Sequence, residues 1–319
     1  YLYRPWILNS GATFNSDSTS NSRVFFAGSN ASLTIPTGQT LAINDVSTDS
    51  FGYLADFDVS GTNAGLINNG TIAISGSGSN VGMAIYSTFT NNGNITLPAS
   101  TRIRTLGGNN ITLNSTTTFT GSGTFEVNGG TTTIPNDLSL SIPFELTGGT
   151  LGGAGNLTLT GPFTWTGGNL GNTNGLSGTL TTTGSVDINP GGTGSSGSIY
   201  LYRPWILNSG ATFNSDSTGN SRVTFAGTNA SLTIPAGQTL TVNDDSLSYF
   251  ADFDMSGTNS GLINNGTLSV AGSGGYVGMA IYSTFTNNSN ITLPSGTKII
   301  TLGGSNNVTL NSTTTFTGS

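Results

Sequence analysis

The sequence contains no cysteine and no histidine, carries only 7 Lys and Arg against 14 Asp and Glu, and has no long uninterrupted apolar run. Without cysteine, disulfides contribute nothing to stability and give no reading of redox compartment. Without histidine, imidazole drops out of any candidate site. A net charge of −7 with no basic run excludes a phosphate-tracking surface, so nucleic acid is not an expected partner. A membrane-crossing helix needs about 20 consecutive apolar residues, and no such stretch exists. No secretory leader is visible, and residue 1 falls inside a motif that recurs later; the chain therefore reads as a window of something longer.

What is present is glycine, 48 of 319 residues, together with abundant Thr, Ser and Asn, and an apolar share of 34% scattered in ones and twos. That dispersal suits a long thin core. A charged share of 7% favours turn-rich all-β structure over solvated helices. Low charge also accompanies disorder, but the regular alternation along the chain argues against it.

The strongest order lies between Phe125 and Leu176. Phe125, Phe144 and Phe163 recur at a step of 19, with Val127, Leu146 and Trp165 two places behind each. Leu138, Leu157 and Leu176 keep the same step, as do Leu140 with Leu159 and Leu151 with Leu170. A chain wound into stacked coils requires such spacing, because each residue then lies over its equivalent one turn earlier. The predicted fold is an all-β parallel β-solenoid, or β-helix, of about 19–22 residues per coil with no helical domain.

A larger repeat encloses this one. Tyr1-Leu-Tyr-Arg-Pro-Trp6 returns as Tyr200-Leu-Tyr-Arg-Pro-Trp205, an offset of 199, and six of the first 45 positions differ between the copies. Residues 1–199 are therefore a first solenoid unit, and 200–319 a partial second copy continuous with it. The first copy is three residues longer between Asp45 and Ala55, and the second one residue longer at Gly303–Asn307. Both differences mark turns, since a buried strand cannot change length without shifting every side chain after it. Gly191–Gly197 is expected to form a wide turn. Segments such as Asn156-Leu-Thr-Leu-Thr and Phe163-Thr-Trp-Thr bury one apolar stripe and turn threonine outward. Gly-Gly, Asn-Gly and Pro-Asn pairs supply the corners.

The wording of the coils, Thr147-Gly-Gly-Thr-Leu-Gly-Gly-Ala-Gly-Asn-Leu-Thr-Leu-Thr-Gly-Pro-Phe-Thr-Trp-Thr-Gly-Gly168 with Ile7-Leu-Asn-Ser-Gly-Ala-Thr-Phe14, resembles the Gly/Thr/Asn-rich β-helix repeats of large bacterial surface and secreted proteins, the filamentous-haemagglutinin and autotransporter-passenger kind. The resemblance is one of repeat style and covers most of the chain. It implies right-handed winding, secretion and a surface-binding tip, and is compatible with adhesins, fibres and stalks alike.

Candidate sites are few, and no catalytic residue stands out. Asp56 with Asp58, repeated as Asp252 with Asp254, places two carboxylates at i and i+2 on one strand face, a thin beginning of a calcium site since calcium takes 6–8 oxygens. Parallel β-helices also serve pectate-lyase-like, polysaccharide-active enzymes, which need clustered aspartates for calcium and a Lys or Arg as base. Arg4 and Arg203 stand between aromatics, a pattern that can stack sugars but more often caps a coil edge. Arg102 and Arg104 alternate with Ile103 and are expected to project outward; the second copy has Lys298 and Ile300 in their places. Asn-x-Ser/Thr sequons recur, among them Asn30, Asn69, Asn94, Asn110, Asn156 and Asn229, as glycosylation acceptors in a eukaryotic secreted chain or as corner residues whose side chains stack between coils. Threonine runs raise ice binding, but the 19-residue step takes Thr164 back to Glu145 and Glu126, which breaks the array. The functional expectation is a structural segment of an extracellular or cell-surface fibre, filament or stalk, its partner being further repeats of itself; the alternative is an adhesin that binds glycans through its loops.

Overall fold

A computed structural model describes residues 1–16, 22–46, 54–77, 81–173, 177–192, 197–215, 219–245, 249–273, 277–302 and 307–318. The turns expected at 47–53 and 303–306, most of the wide turn at 193–196, and Leu176 of the 19-residue series lie outside the described residues. The chain forms an all-β parallel solenoid with no helix among the described residues. Its strands run from two to six residues, short because glycine, proline or asparagine interrupts each alternation. It forms two compact units, one of Tyr1–Glu145 with Gly149–Leu151, the other of Leu146–Gly148 with Gly152–Ser319.

In the first unit each coil contributes three strands to three parallel ladders. One ladder runs through Trp6–Ile7, Ser32–Ile35, Gly65–Asn68, Thr88–Asn91, Asn110–Leu113 and Thr131–Thr133. The next runs through Ala12–Ser16, Thr40–Asp45, Thr71–Gly76, Asn94–Leu97 and Thr118–Gly121. The third holds Arg23–Phe26, Ala55–Val59, Val81–Ile85, Thr101–Thr105 and Thr124–Val127. Alternation decides the faces: Leu41, Ile43, Ile72, Ile74, Ile95 and Leu97 are buried, while their neighbours Ala42, Ala73 and Thr96 lie on the other face. Phe125 and Phe144 stack inside, with ring centroids 5.4 Å apart. The register steps by 20 residues from Ile85 to Thr105 and by 33 from Leu33 to Leu66. The 19–22 residues expected per coil thus describe the tight coils, and loops lengthen the others.

The second unit repeats the plan. Phe163–Trp165, Val186–Ile188, Ala211–Ser215, Thr239–Asp244, Thr267–Ala271, Asn290–Thr292 and Thr315–Thr317 form one parallel ladder. Leu157–Leu159 heads a second that ends at Val308–Leu310, and Asn169–Leu170 a third that ends at Lys298–Thr301. Phe163 and Trp165 are buried, each with its ring 5.7 Å from that of Trp205. Equivalent segments of the two copies bury alike: Thr40–Asp45 and Thr239–Asp244 share one pattern. The second copy opens within strand Ser198–Leu201 of this unit.

Corners follow local chemistry. Pro36-Thr-Gly38-Gln39 and Pro235-Ala-Gly237-Gln238 each close with the proline carbonyl accepting the glutamine N–H, at 3.0 and 3.1 Å, and each glycine has φ 79°. Asn30 and Asn229 hold equivalent corners at φ 58° and 59°, a conformation asparagine tolerates better than most residues.

Candidate functional site: a charged face carried in both copies

On the outer face of the third ladder of the first unit, register sets one column of side chains: Arg23 opposite Asp56, Asp56 opposite Ala84, Ala84 opposite Arg104, and Arg104 opposite Glu126. The i, i+2 spacing does put Asp56 and Asp58 on a shared face, but an arginine from the preceding coil is already there, its Nη1 donating to Asp58 Oδ2 at 3.0 Å. Asp56 is only 4% exposed. Burial raises its pKa to about 6, Arg23 pulling the other way and Asp58 and Asp45 adding to the rise. Burial and the nearby Asp56 also raise the phenol of Tyr86.

Arg102 and Arg104 leave the sheet on its outer face, as alternation requires, yet both fold onto Glu126 of the next coil. Arg102 Nη1 lies 3.2 Å and Arg104 Nε 2.7 Å from Glu126 Oε2. Asn128 Nδ2 donates to the other oxygen at 3.3 Å. Glu126 is buried, and these partners hold its charge there. Glu145 has its pKa raised, first by burial and then by Glu126. Sequence reasoning missed Glu126 as the partner; the signal was its 22-residue offset from Arg104, one tight coil.

The second unit carries the same core. Arg222 sits opposite Asp252, with Nη2 3.5 Å from Asp252 Oδ2 and Nε 3.6 Å from Asp254 Oδ2. Asp252 is opposite Ala280, and burial lifts its pKa to about 6. Where Arg102 stands in the first copy, Lys298 places its ammonium 5.0 Å from the centre of the Phe250 ring. Asp45 and Asp244 play matching parts, accepting the N–H groups of Gly82 and Gly278 at 2.8 and 3.0 Å. For calcium, the two aspartates of each copy share their site with an arginine, and no cluster of three or more His, Cys, Asp or Glu forms among the described residues.

The two tyrosine-arginine motifs have opposite environments. Arg4 is exposed. Arg203 is fully buried, with Nε donating to the carbonyl of Gly178 at 2.6 Å and Nη2 to that of Gly155 at 3.1 Å. It holds two successive coils together through their backbone, and burial lowers its pKa to about 10. A sugar cannot stack on Arg203, because coil edges enclose it.

The sequon asparagines lie at corners or, as with Asn94 and Asn110, open a strand. Asn92 Nδ2 donates to Asn69 Oδ1 at 2.7 Å and Asn114 Nδ2 to Asn92 Oδ1 at 2.5 Å, an outer ladder of amides. An inner ladder, not anticipated from sequence, joins Asn68 Nδ2 to Asn91 Oδ1 at 2.7 Å and Asn91 Nδ2 to Thr117 Oγ1 at 3.1 Å, all buried. The second copy repeats it: Asn264 Nδ2 to Asn287 Oδ1 at 2.6 Å and Asn287 Nδ2 to Thr314 Oγ1 at 3.0 Å. Asn94 Oδ1 accepts from Thr118 Oγ1 at 3.0 Å, and Asn156 Oδ1 from the Thr179 N–H at 2.9 Å. Asn30, Asn110 and Asn229 are exposed. Outward threonines also link coils, Thr96 to Thr120 at 3.0 Å.

Comparison with protein-family profiles, with curated protein sequences and with solved structures yields no match. What the structure shows is the coarser feature alone, a β-helix-like repeat of parallel strands in stacked ladders.

Proposed function

We propose that this chain is a structural segment of an extracellular or cell-surface fibre, filament or stalk of the filamentous-haemagglutinin or autotransporter-passenger style, built from tandem solenoid repeats that associate with further copies of themselves. The observation that carries this is the fidelity with which both copies reproduce coil-to-coil links, above all the buried amide ladders Asn68–Asn91–Thr117 and Asn264–Asn287–Thr314. A spacer gains length from every accurate copy, whereas a binding groove or catalytic cleft gains nothing from being duplicated with its interior. Asp56 and Asp252, the carboxylates that a calcium-dependent polysaccharide-active enzyme would use, are 4% and 3% exposed, so a polysaccharide would not reach them. Each unit contains one set of parallel ladders whose backbone groups bond along the stacking direction, a geometry that resists unfolding and offers few loose ends to proteases.

One observation favours adhesion as a second reading. In a chain that is only 7% charged, the accessible Arg23, Asp58, Arg102 and Arg104 gather on one face beside Tyr86, and Arg222, Asp254 and Lys298 do so beside Tyr282. Charged and aromatic groups together are what a glycan-binding surface uses. Negative-stain microscopy of native material separates the readings: thin filaments support the structural role, and compact monodisperse particles defeat it. Saturable binding on a glycan array supports adhesion; its absence from intact filaments removes that reading.

A further inference from the structure

Charge is segregated among the faces of each unit. In the first unit, the described strands of the third ladder carry Arg23, Asp56, Asp58, Arg102, Arg104 and Glu126. The strands of the first two ladders carry one charged residue, Asp45, and it is buried. The first ladder therefore turns a neutral face outward. Its central column is Thr34, Ile67, Thr90, Thr112 and Thr133, each in register with the next. Alongside runs the outer amide ladder of Asn69, Asn92 and Asn114. The second unit builds the same face on the ladder headed by Leu157–Leu159, with a column of Thr158, Thr181, Ile206, Thr233, Ile263 and Thr286. Asn265, Asn288 and Asn311 flank it, again linked amide to amide. No strand of that ladder carries a charge. The ladder through Ala211–Ser215, by contrast, includes the half-buried Asp187.

We infer that this threonine-isoleucine face is a lateral contact surface, and that its occupant is the same face of a second copy of the chain. The inference rests on the reading of the chain as a structural segment and adds how segments bundle side by side. Charge selects the partner. The chain carries −7, so two copies repel where their charged faces meet out of register, whereas two neutral faces meet without that penalty. Drying the face is inexpensive, because the flanking amides bond to one another along the ladder. Thr88 and Thr284, beside the central columns, donate their hydroxyls to the carbonyls of Ala64 and Ser260 at 3.0 and 2.7 Å. Every residue of both central columns is β-branched and stiff at χ1, so contact costs little side-chain entropy. Rows of such side chains interdigitate between facing sheets as a dry zipper. Area sets the strength. Five strands at about 4.8 Å spacing, each presenting about 17 Å of length, offer roughly 400 Å². That is half of the about 800 Å² per partner found in stable complexes, so one ladder pairs weakly and repeats in series add avidity.

Analytical ultracentrifugation of the 319-residue chain tests this at about 1 mM, a concentration at which weak contacts are populated. Concentration-dependent association is expected, and it should hold nearly constant between about 0.05 and 0.5 M salt because no charge pairs form across the contact. Ile67→Lys with Ile263→Lys is expected to weaken association about tenfold or more, since each lysine would be dried without a partner. Thr90→Lys with Thr286→Lys, in the same two columns, repeats the test should the first pair fail to fold. Ala73→Lys, outward on the second ladder opposite Ala42 and Thr96, is expected to change nothing. A chain that stays monomeric at that concentration overturns the inference, as does association that the column variants leave intact, that Ala73→Lys weakens equally, or that falls steeply with salt. Retention of a monomeric chain on an insoluble polysaccharide through this column would assign the face another occupant and overturn it as well. Microscopy of native material separates the two levels: filaments that remain single defeat the lateral contact and leave the structural role standing, whereas the absence of filaments defeats both.

Discussion

Asn91 shows how single side chains replace solvent in a solenoid corner. Fully buried, it accepts from Asn68 and donates to Thr117 and to the Gly93 carbonyl, so every polar atom of its amide is used. Asn91→Leu would leave Asn68 Nδ2 and Thr117 Oγ1 short of partners, and a loss of about 2–4 kcal/mol is expected in chemical denaturation. Ser100 gives the opposite sign. It holds φ 66° where the second copy has Gly296 at φ 82°. Left-handed backbone costs a non-glycine residue roughly 1–2 kcal/mol, partly offset by the greater freedom of unfolded glycine, so Ser100→Gly is expected to stabilise by about 0.5–1 kcal/mol. Asp56 and Asp252 make stability depend on pH. Their folded pKa of about 6 lies above the unfolded value of 3.8, so between those values the folded state binds more protons. The penalty is absent below 3.8, grows as pH rises, and is complete above 6. Denaturation midpoints are expected to fall from pH 4 to pH 7. The double variant Asp56→Asn, Asp252→Asn should flatten that slope and gain about 1–2 kcal/mol per site at pH 7.

Among whole strands, close stacking of backbones decides which glycines are replaceable. A Cβ at Gly82 would sit 2.0 Å from the Arg102 carbonyl oxygen in the neighbouring strand, while one at Gly108 would meet nothing. Gly82→Ala is expected to lower the thermal midpoint strongly and Gly108→Ala to leave it almost unchanged. The fold was legible in the sequence at this scale because burial follows from alternation: Phe125, Phe144, Leu157 and Trp165 are all interior. Coil length was less legible. The 19-residue step is visible only where corners are tight, and register across a long loop, such as Leu33 opposite Leu66, leaves no periodic trace. The charged face was half visible. Asp56 with Asp58 shares a strand, so its spacing is local; its partner Arg23 and the Arg102–Arg104–Glu126 group meet only through register between coils. Arg203 looked like Arg4 because the residues that enclose it, Gly155 and Gly178, belong to coils far back in the chain.

For the molecule as a whole, the apolar rows and amide ladders do what a globular core does elsewhere, but they do it one coil at a time. Such a structure has no natural stopping point, because every coil offers the next one the same strand edges and the same side-chain rows. Under the proposed structural role, repeats stack coil upon coil and spanning distance is the protein's work. Diffraction from oriented native fibres tests this most directly. Strands perpendicular to the fibre axis give a strong meridional reflection at about 4.8 Å, the spacing of hydrogen-bonded strands, and that is the expected result. Material that forms no fibres, or fibres whose reflection at about 4.8 Å lies on the equator, would contradict it.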